Sequence, residues 1–245
     1  MKKIYYSLPL ALFISFSSSA AMVATEIGVM DWGSKAEENF GKMKSENSFV
    51  KMKGYNATDW GDIYGHVKLE DFEDSDMISS EINLVGQIAI GETGFNYYGQ
   101  VFNKTKPRWS ETNTTLGFSW LHEMYGWDIQ LALAGHIVNA DYKNFDSDFK
   151  GGLNGGYQFT QIDRAFSIGQ QDFKFTYWQE HFWGRDKQYL AISGDEKDFG
   201  FNGLLAVRWF LPANLSASIA YRYANNNLGI AGYHDAFMYS IQYNF

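Results

Sequence analysis

The last stretch of the chain, "DAFMYSIQYNF" (Asp235–Phe245), alternates between large apolar or aromatic residues and smaller or polar ones. A two-residue period is the pattern of a β-strand whose two sides face different surroundings. One side would carry Phe237, Tyr239, Ile241, Tyr243 and Phe245, and the other Met238, Ser240, Gln242 and Asn244. A strand of a soluble β-sandwich also alternates, so the fold class depends on what the rest of the chain repeats.

The same period recurs along most of the sequence. In "DIYGHVKLE" (Asp62–Glu70) it separates an apolar set from a charged and aromatic set, and further clear runs surround Glu81, Trp120, Leu131, Val207 and Ile219. Weaker runs lie at Thr25–Trp32, Phe49–Tyr55, Phe95–Phe102, Leu153–Thr160 and Phe173–Glu180. Together they predict about twelve strands of the length that a tilted membrane crossing requires. An even count brings both chain ends to one side of a closed barrel.

The composition favours a membrane barrel over a soluble sandwich. The 245 residues include 20 Phe, 16 Tyr, 8 Trp and 24 Gly, but 3 Pro and no Cys. Aromatic residues anchor strands at the two membrane interfaces, and glycine permits turns and tight curvature. Without cysteine there is no disulfide framework, so backbone pairing must hold the fold. The sequence therefore predicts an all-β fold, a transmembrane antiparallel β-barrel in the outer membrane of a Gram-negative cell.

Closure of the sheet explains why neither face of Asp62–Glu70 resembles a soluble core. An unpaired backbone N–H or C=O group in hydrocarbon costs several kcal/mol, and an open sheet edge is not tolerated there. The apolar set then meets lipid and comprises Ile63, Gly65, Val67 and Leu69. The polar set meets an aqueous lumen and comprises Asp62, Tyr64, His66 and Lys68.

The connections between strands alternate in length, as expected for short periplasmic turns and longer outer loops. The short set is "ATDWG" (57–61), "GET" (91–93), "HEMYG" (122–126) and "LPAN" (211–214). The long polar set is Ser34–Asn47, Asp71–Met77, Lys104–Glu111, Tyr142–Gly151, Trp183–Phe199 and Asn225–His234. Within it, "KQYLAISGDEKD" (Lys187–Asp198) is interpreted as an extra short strand that extends a hairpin beyond the membrane.

The N-terminus carries the marks of an export signal. Lys2 and Lys3 precede a short apolar run, Ile4–Phe16, and small residues follow near Ala20 and Ala21. The run is too short to span a bilayer as a helix, so residues 1–21 are predicted to be a cleaved signal peptide and 22–245 the barrel. An uncleaved anchor is the alternative. Cleavage lowers the formal charge from −8 to −10, and such an acidic chain is a poor partner for nucleic acid.

One segment resembles a known family. "FVKMKGYNATDWGDIYGHVKLEDFE" (Phe49–Glu73) resembles the part of the Tsx/OmpK nucleoside-channel family in which an Asp-Trp turn leads into an Asp and then an aromatic-Tyr-Gly strand. The matching positions are Asp59, Trp60, Asp62, Ile63, Tyr64 and Gly65, with Glu81 as the counterpart of a Glu on the next strand. His66 and Lys68 replace the more usual aromatic and acidic residues after the Tyr-Gly pair.

The resemblance implies a twelve-stranded monomeric barrel with a narrow channel that passes nucleosides. Some members of the family also serve as phage or colicin receptors, so a surface receptor or adhesin with little channel activity is the alternative function. The C-terminal Phe245 is similar to the terminal aromatic residue through which assembly machinery recognises outer-membrane barrels. Lipid and lipopolysaccharide are the expected surroundings, and no cofactor is expected.

A nucleoside offers a flat base for stacking and a hydroxylated sugar for hydrogen bonds, so its channel should combine aromatic and ionisable side chains. The inward positions supply both kinds. The candidate lumen residues are Tyr55, Asp62, Tyr64, His66, Lys68, Glu81, Trp178, Arg208 and Arg222. The alternative is purely structural: Lys51, Lys53, Asp62, Lys68 and Glu81 lie on three consecutive strands and could pair as a ladder that fills the interior.

Calcium binding and lipase chemistry are less consistent with the sequence. The acidic stretches "EDFEDSD" (70–76) and "DYKNFDSDFKGG" (141–152) could hold Ca²⁺ through clustered oxygens, but neither matches a defined calcium loop, so no metal site is predicted. A barrel lipase would need a Ser–His pair, and Ser119 with His122 is the nearest candidate. No Gly-x-Ser-x-Gly motif is present, and the chain is predicted not to be an enzyme.

Overall fold

The computed structural model describes residues 22–40, 44, 46–74, 77–107, 109–142, 149 and 151–245, so the predicted signal peptide (1–21) lies outside the described residues. The described part contains twelve strands and two short helices. The strands are β1 (Met22–Trp32), β2 (Glu46–Thr58), β3 (Gly61–Glu70), β4 (Ser79–Ala89), β5 (Phe95–Lys106), β6 (Trp109–Met124), β7 (Trp127–Tyr142), β8 (Gly152–Ile168), β9 (Gln171–Trp183), β10 (Gly200–Phe210), β11 (Leu215–Asn227) and β12 (Ile230–Asn244). The helices are α1 (Ser34–Phe40) and α2 (Lys187–Ser193). Neither is long and apolar enough for a helical membrane crossing.

The strands form one closed antiparallel barrel. Each strand pairs with its neighbours in sequence, and β1 pairs with β12 from Ala24 opposite Asn244 to Trp32 opposite Ala236. Closure gives every strand two partners, so the sheet has no free edge. The predicted fold class and strand count are confirmed.

The two faces of the wall differ as the two-residue period predicts. On β3 the outward side chains of Ile63 and Val67 are 54% and 44% exposed, whereas the inward Lys68 and Glu70 are 5% and 4% exposed. The last strand follows the same rule, with exposed Tyr239 and Ile241 outside and buried Gln242 inside. Apolar side chains therefore form the lipid surface, and the polar set fills the interior.

The short connections agree with the predicted periplasmic turns, but two of the six long loops are wrong. Around Lys104–Glu111 the strands continue to Lys106 opposite Trp109, and around Asn225–His234 they continue to Asn227 opposite Ile230. The polar composition of these segments does not end pairing, because hairpins extend past the hydrocarbon into water. Between β11 and β12 only Leu228 and Gly229 remain, both with positive φ (61° and 81°), as a two-residue hairpin turn requires.

The extra strand expected within Lys187–Asp198 is also wrong, because this segment begins with α2. The Asp186 side chain accepts hydrogen bonds from the backbone N–H groups of Gln188 and Tyr189, and Gly194 ends the helix in the left-handed conformation. A side-chain cap at the start and a glycine at the end are strong local helix signals. These two signals favour a helix over the strand that the apolar residues between them suggested.

Apolar packing inside the barrel occurs in three clusters. One lies in the wall of the lumen and comprises Tyr98, Ala132, Ala134 and Tyr157. The second joins α1 to the outer ends of β1 and β12 and comprises Met30, Trp32, Ala36, Ile230 and Ala236. The third joins α2 to β7 and comprises Val138, Phe149, Tyr189 and Ile192. Both helices therefore pack against lumen-facing residues rather than project into solvent.

Closure of the barrel depends on a glycine on β1. A Cβ atom at Gly28 would contact the backbone oxygen of Tyr239 and would lie 2.7 Å from Phe49 Cζ and 2.8 Å from Ser240 Cβ. We expect Gly28→Val to separate β1 from β12 and to lower the folded fraction after refolding in detergent, read from the heat-modifiable mobility on a gel. Gly86→Val is the matched control, because a Cβ there meets nothing within 4 Å. Equal refolding of the two variants would contradict this account.

Candidate functional site

A row of charged side chains runs around half of the lumen wall. Its members are direct cross-strand partners on six consecutive strands: Glu26, Lys51, Lys68, Glu81, Lys104 and Glu111. Glu26 lies close to the middle of β1, whereas Lys104 and Glu111 lie near the extracellular ends of β5 and β6. Because strands tilt in a barrel, the row winds up the lumen toward the outer mouth. Lys51, Lys68 and Glu81 of the predicted ladder belong to this row, and Lys53 pairs with Glu26, whereas Asp62 takes no part in it.

Four of the predicted site residues form a continuous relay on β3 and β4. Tyr64 Oη lies 3.0 Å from His66 Nδ1, and His66 Nε2 lies 3.0 Å from Glu81 Oε1. The other oxygen of Glu81 lies 2.9 Å from Lys68 Nζ. A carboxylate only accepts, so His66 donates from Nε2, and a neutral His66 accepts a hydrogen bond from the Tyr64 hydroxyl at Nδ1.

Glu70 and Lys104 balance the charge of this relay, and the sequence analysis did not include them among the site residues. Glu70 Oε1 lies 2.7 Å from Lys68 Nζ, and Glu70 Oε2 lies 2.6 Å from Lys104 Nζ. Lys104 also lies 3.7 Å from Glu81. Two lysines thus share two carboxylates in a buried part of the wall, where an unpaired charge would be costly.

A second cluster surrounds Glu26 and includes the predicted site residue Arg208. Glu26 Oε2 lies 2.9 Å from Lys51 Nζ and 3.1 Å from Lys53 Nζ, and Glu26 Oε1 lies 3.1 Å from Arg208 Nη2. Glu26 is 3% exposed. One carboxylate therefore holds three cations from β2 and β10.

Trp178, another aromatic candidate, lies on β9. The Arg222 guanidinium carbon lies 5.6 Å from the centre of the Trp178 ring, within the range of a cation–π contact. Beside this pair, Glu180 accepts hydrogen bonds from the Tyr157 hydroxyl (3.0 Å) and the Asn202 amide (2.9 Å). β9 stands six places from β3 in the ring of twelve, so Trp178 and the Tyr64 relay occupy opposite walls.

Two predicted site residues stand apart from these clusters. Asp62 lies near the periplasmic end of β3 and accepts a hydrogen bond from Gln87 at 3.1 Å. Tyr55 is the cross-strand partner of Tyr64 but is 40% exposed toward the same end of the lumen. The candidates therefore form a series along the channel rather than one pocket.

Two helices pack against the extracellular ends of the strands. α1 packs on Trp32 of β1 and Ala236 of β12, and α2 packs on Val138 of β7. The Tyr189 hydroxyl of α2 also donates to Glu111 of β6 at 3.2 Å. Both helices therefore cover part of the extracellular mouth.

A buried arginine holds the α2 segment in place. Arg185 is ion-paired with Asp195 at 2.5 Å and donates to the backbone oxygens of Lys197 and Asn226. Asp195 in turn accepts from the backbone N–H of Gly229 at 3.0 Å. Burial raises the pKa of Asp195 above its ordinary value, and the Arg185 guanidinium acts in the opposite direction. The segment is thereby tied to the turn between β11 and β12.

Sequence reasoning missed Glu26, Glu70, Lys104, Glu180 and Tyr157. All five alternate inward on their strands, so the two-residue period contained the signal for their face. Their partners lie on other strands, which the period alone does not identify.

Ser119 and His122, the candidate pair for a barrel lipase, do not lie together. Ser119 faces the lumen and donates to Gln87, whereas His122 faces outward and stacks on Trp120 with 4.9 Å between ring centres. Asp76, Asp146 and Asp148 of the two acidic stretches lie outside the described residues. Among the residues that are described, no group of three or more His, Asp or Glu could hold a metal ion.

Comparison with known proteins gives one family and several solved barrels. A family model described as "Nucleoside-specific channel-forming protein, Tsx" matches residues 29–245. The NanC porin structure is similar with a TM-score of 0.54 at 7% identity, covering 89% of this chain and 98% of that one. The KdgM porin, solved in complex with disordered oligogalacturonate, has a TM-score of 0.50 at 9% identity, covering 92% and 99%. At these identities the two porins support the fold alone.

The anchoring of α2 leads to a prediction about the mouth. Arg185→Ala leaves Asp195 buried without its partner, a change that costs about 3–5 kcal/mol in other proteins. We expect the α2 segment to leave the mouth, the single-channel conductance to rise and trypsin to cleave after Lys197. Lys187→Ala is the control for conductance, since this exposed lysine begins the same helix. Identical conductance of both variants and the wild type would show that the segment does not narrow the path.

Proposed function

The chain belongs to the Tsx family of nucleoside-specific channel-forming proteins and is an outer-membrane channel, and we propose that nucleosides cross it between aromatic and ionisable groups on opposite lumen walls. The observation that carries this proposal is the placement of the Tyr64–His66–Glu81–Lys68 relay on β3 and β4 across from Trp178 on β9.

The Trp178–Arg222 pair suits the base. A purine or pyrimidine can stack on the indole or on the guanidinium plane, and such stacking contributes about 1–3 kcal/mol per base in nucleic-acid binders. The sugar edge needs donors and acceptors, which Tyr64, His66 and Glu81 offer on the facing wall. Tyr55 and Asp62 extend the polar path toward the periplasm. Several weak sites suit conduction because a tightly held solute would not leave.

The proposal also covers the processing and assembly of the chain. Residues 1–21 are removed on export, and 22–245 form the barrel as a monomer in lipid and lipopolysaccharide. Phe245 is 73% exposed and lies beside β1, where its backbone N–H donates to the Val23 oxygen, a position that suits recognition of the terminal strand by the assembly machinery.

The protein is proposed not to be an enzyme, because its nearest Ser–His pair faces opposite sides of the wall. A receptor for phage is less well supported than a channel. Two of the six long loops that suggested it are hairpin ends, and a third contains α2 in the mouth.

Substitution of the wall aromatics tests the path. We expect Trp178→Ala to weaken adenosine binding about five- to 150-fold, as the loss of about 1–3 kcal/mol of stacking implies. Tyr64→Ala should weaken it about two- to tenfold, as the loss of one hydrogen bond of about 0.5–1.5 kcal/mol implies. The measurement is the concentration dependence of labelled adenosine uptake into liposomes. The controls are Tyr239→Ala and Trp209→Ala, whose side chains face lipid. Unchanged uptake by both lumen variants would refute the assigned path.

A planar-bilayer recording tests the function itself. Current that is blocked by nucleosides but not by sugars of similar size is expected from the channel. A silent bilayer together with loop-dependent phage adsorption would instead establish the receptor.

A further inference from the structure

The cluster around Glu26 carries more positive than negative charge, because three cations contact one carboxylate. The two carboxylate oxygens already accept from four groups: Lys51, Lys53, Arg208 and the hydroxyl of Ser240. A carboxylate has about four acceptor sites, so Glu26 is saturated. Each ammonium has three donors and the guanidinium has five, so the three cations retain unused donors.

Those donors face the channel. The side chains of Lys51, Lys53 and Arg208 are 19%, 22% and 19% exposed, whereas the Glu26 side chain is 4% exposed. A solute in the lumen therefore meets the cations and not the carboxylate that orders them.

Other lumen ion pairs in the described residues are balanced. Lys68 and Lys104 share Glu70 and Glu81, and Lys174 pairs with Asp163 at 3.4 Å. Within the described part of the chain, Glu26 is the carboxylate found within 4.0 Å of the three cations, which leaves this cluster a formal charge of +2.

The cross-strand neighbours do not supply the missing negative charge. Apart from Glu26 itself, Lys51 stands opposite Lys68, Lys53 opposite His66, and Arg208 opposite Lys174 and Ser218. Farther along the wall, Glu70 and Glu81 are already paired with lysines. Low-dielectric walls concentrate the field of such a cluster in the channel.

We propose that Lys51, Lys53 and Arg208 form an anion-binding site in the lumen that takes a phosphate group. Arginine binds phosphate through paired N–H donors, and lysine binds it as a point charge. Glu26 holds three like charges close together, and the phosphate completes their neutralisation. The inference deepens the proposed function and rests on the lumen being the solute path, because a phosphorylated nucleoside would combine this site with the aromatic walls.

The test is block of the planar-bilayer current by adenosine, adenosine 5′-monophosphate and inorganic phosphate. We expect the monophosphate to block at concentrations at least about tenfold lower than adenosine, as one additional charge-assisted interaction of about 1.4 kcal/mol implies. The double variant Lys51→Met/Lys53→Met should remove this preference. Lys174→Met is the control, because its lysine faces the same lumen but pairs with Asp163 alone.

A second variant, Glu26→Gln, distinguishes loss of the anion site from misfolding of the double variant. Glu26→Gln keeps the side-chain volume but adds one unit of net positive charge, so block by the monophosphate should strengthen rather than weaken. Heat-modifiable gel mobility confirms that each variant is a folded barrel.

The outcomes separate the two proposals. Block by inorganic phosphate alone identifies a free-anion site, and stronger block by the monophosphate identifies a phosphorylated nucleoside. If adenosine blocks but neither phosphate compound blocks better, the anion site is refuted and the nucleoside path stands. If phosphate blocks and adenosine does not, the nucleoside path is refuted and the anion site stands. No block by any of the three refutes both.

Discussion

Pairing of the first strand with the last is the constraint on which the rest of the structure depends. The register from Ala24 opposite Asn244 to Trp32 opposite Ala236 removes the two edges that an open sheet would expose to lipid. Once the ring is closed, alternate residues of every strand must face the interior. Direct cross-strand partners then share a face, so inward charges on successive strands fall into one continuous row.

The low dielectric of the barrel wall determines how those charges are arranged. An ion without a partner in a low-dielectric wall is costly, and breaking a buried pair is more costly than never having formed it. Glu70, Glu81 and Glu26 each meet this constraint by holding two or three cations. The residues that form the structural ladder therefore also line the solute path. A residue can pair across strands and still offer its remaining donors to a solute.

The two-residue period predicted the strands and the side of the wall on which each residue lies, because that period belongs to the backbone and needs no knowledge of partners. It could not predict that Glu26 meets Arg208, since these residues are distant in sequence and meet only after closure sets the stagger of the ring. The family resemblance identified the Tyr64 segment for the same local reason. Helix α2 was missed because about two turns give too little periodicity, although Asp186 and Gly194 marked its ends.

The turn between β11 and β12 shows why composition misjudged the outer loops. Lys44, in the connection after α1, donates to the Leu228 oxygen at 2.7 Å, and a Cβ at Gly229 would lie 3.1 Å from both Phe40 of α1 and the Ser193 oxygen of α2. Both helices therefore meet at one tight turn, which only a residue without a side chain can occupy. Polar segments that resemble free surface loops are anchored in the mouth.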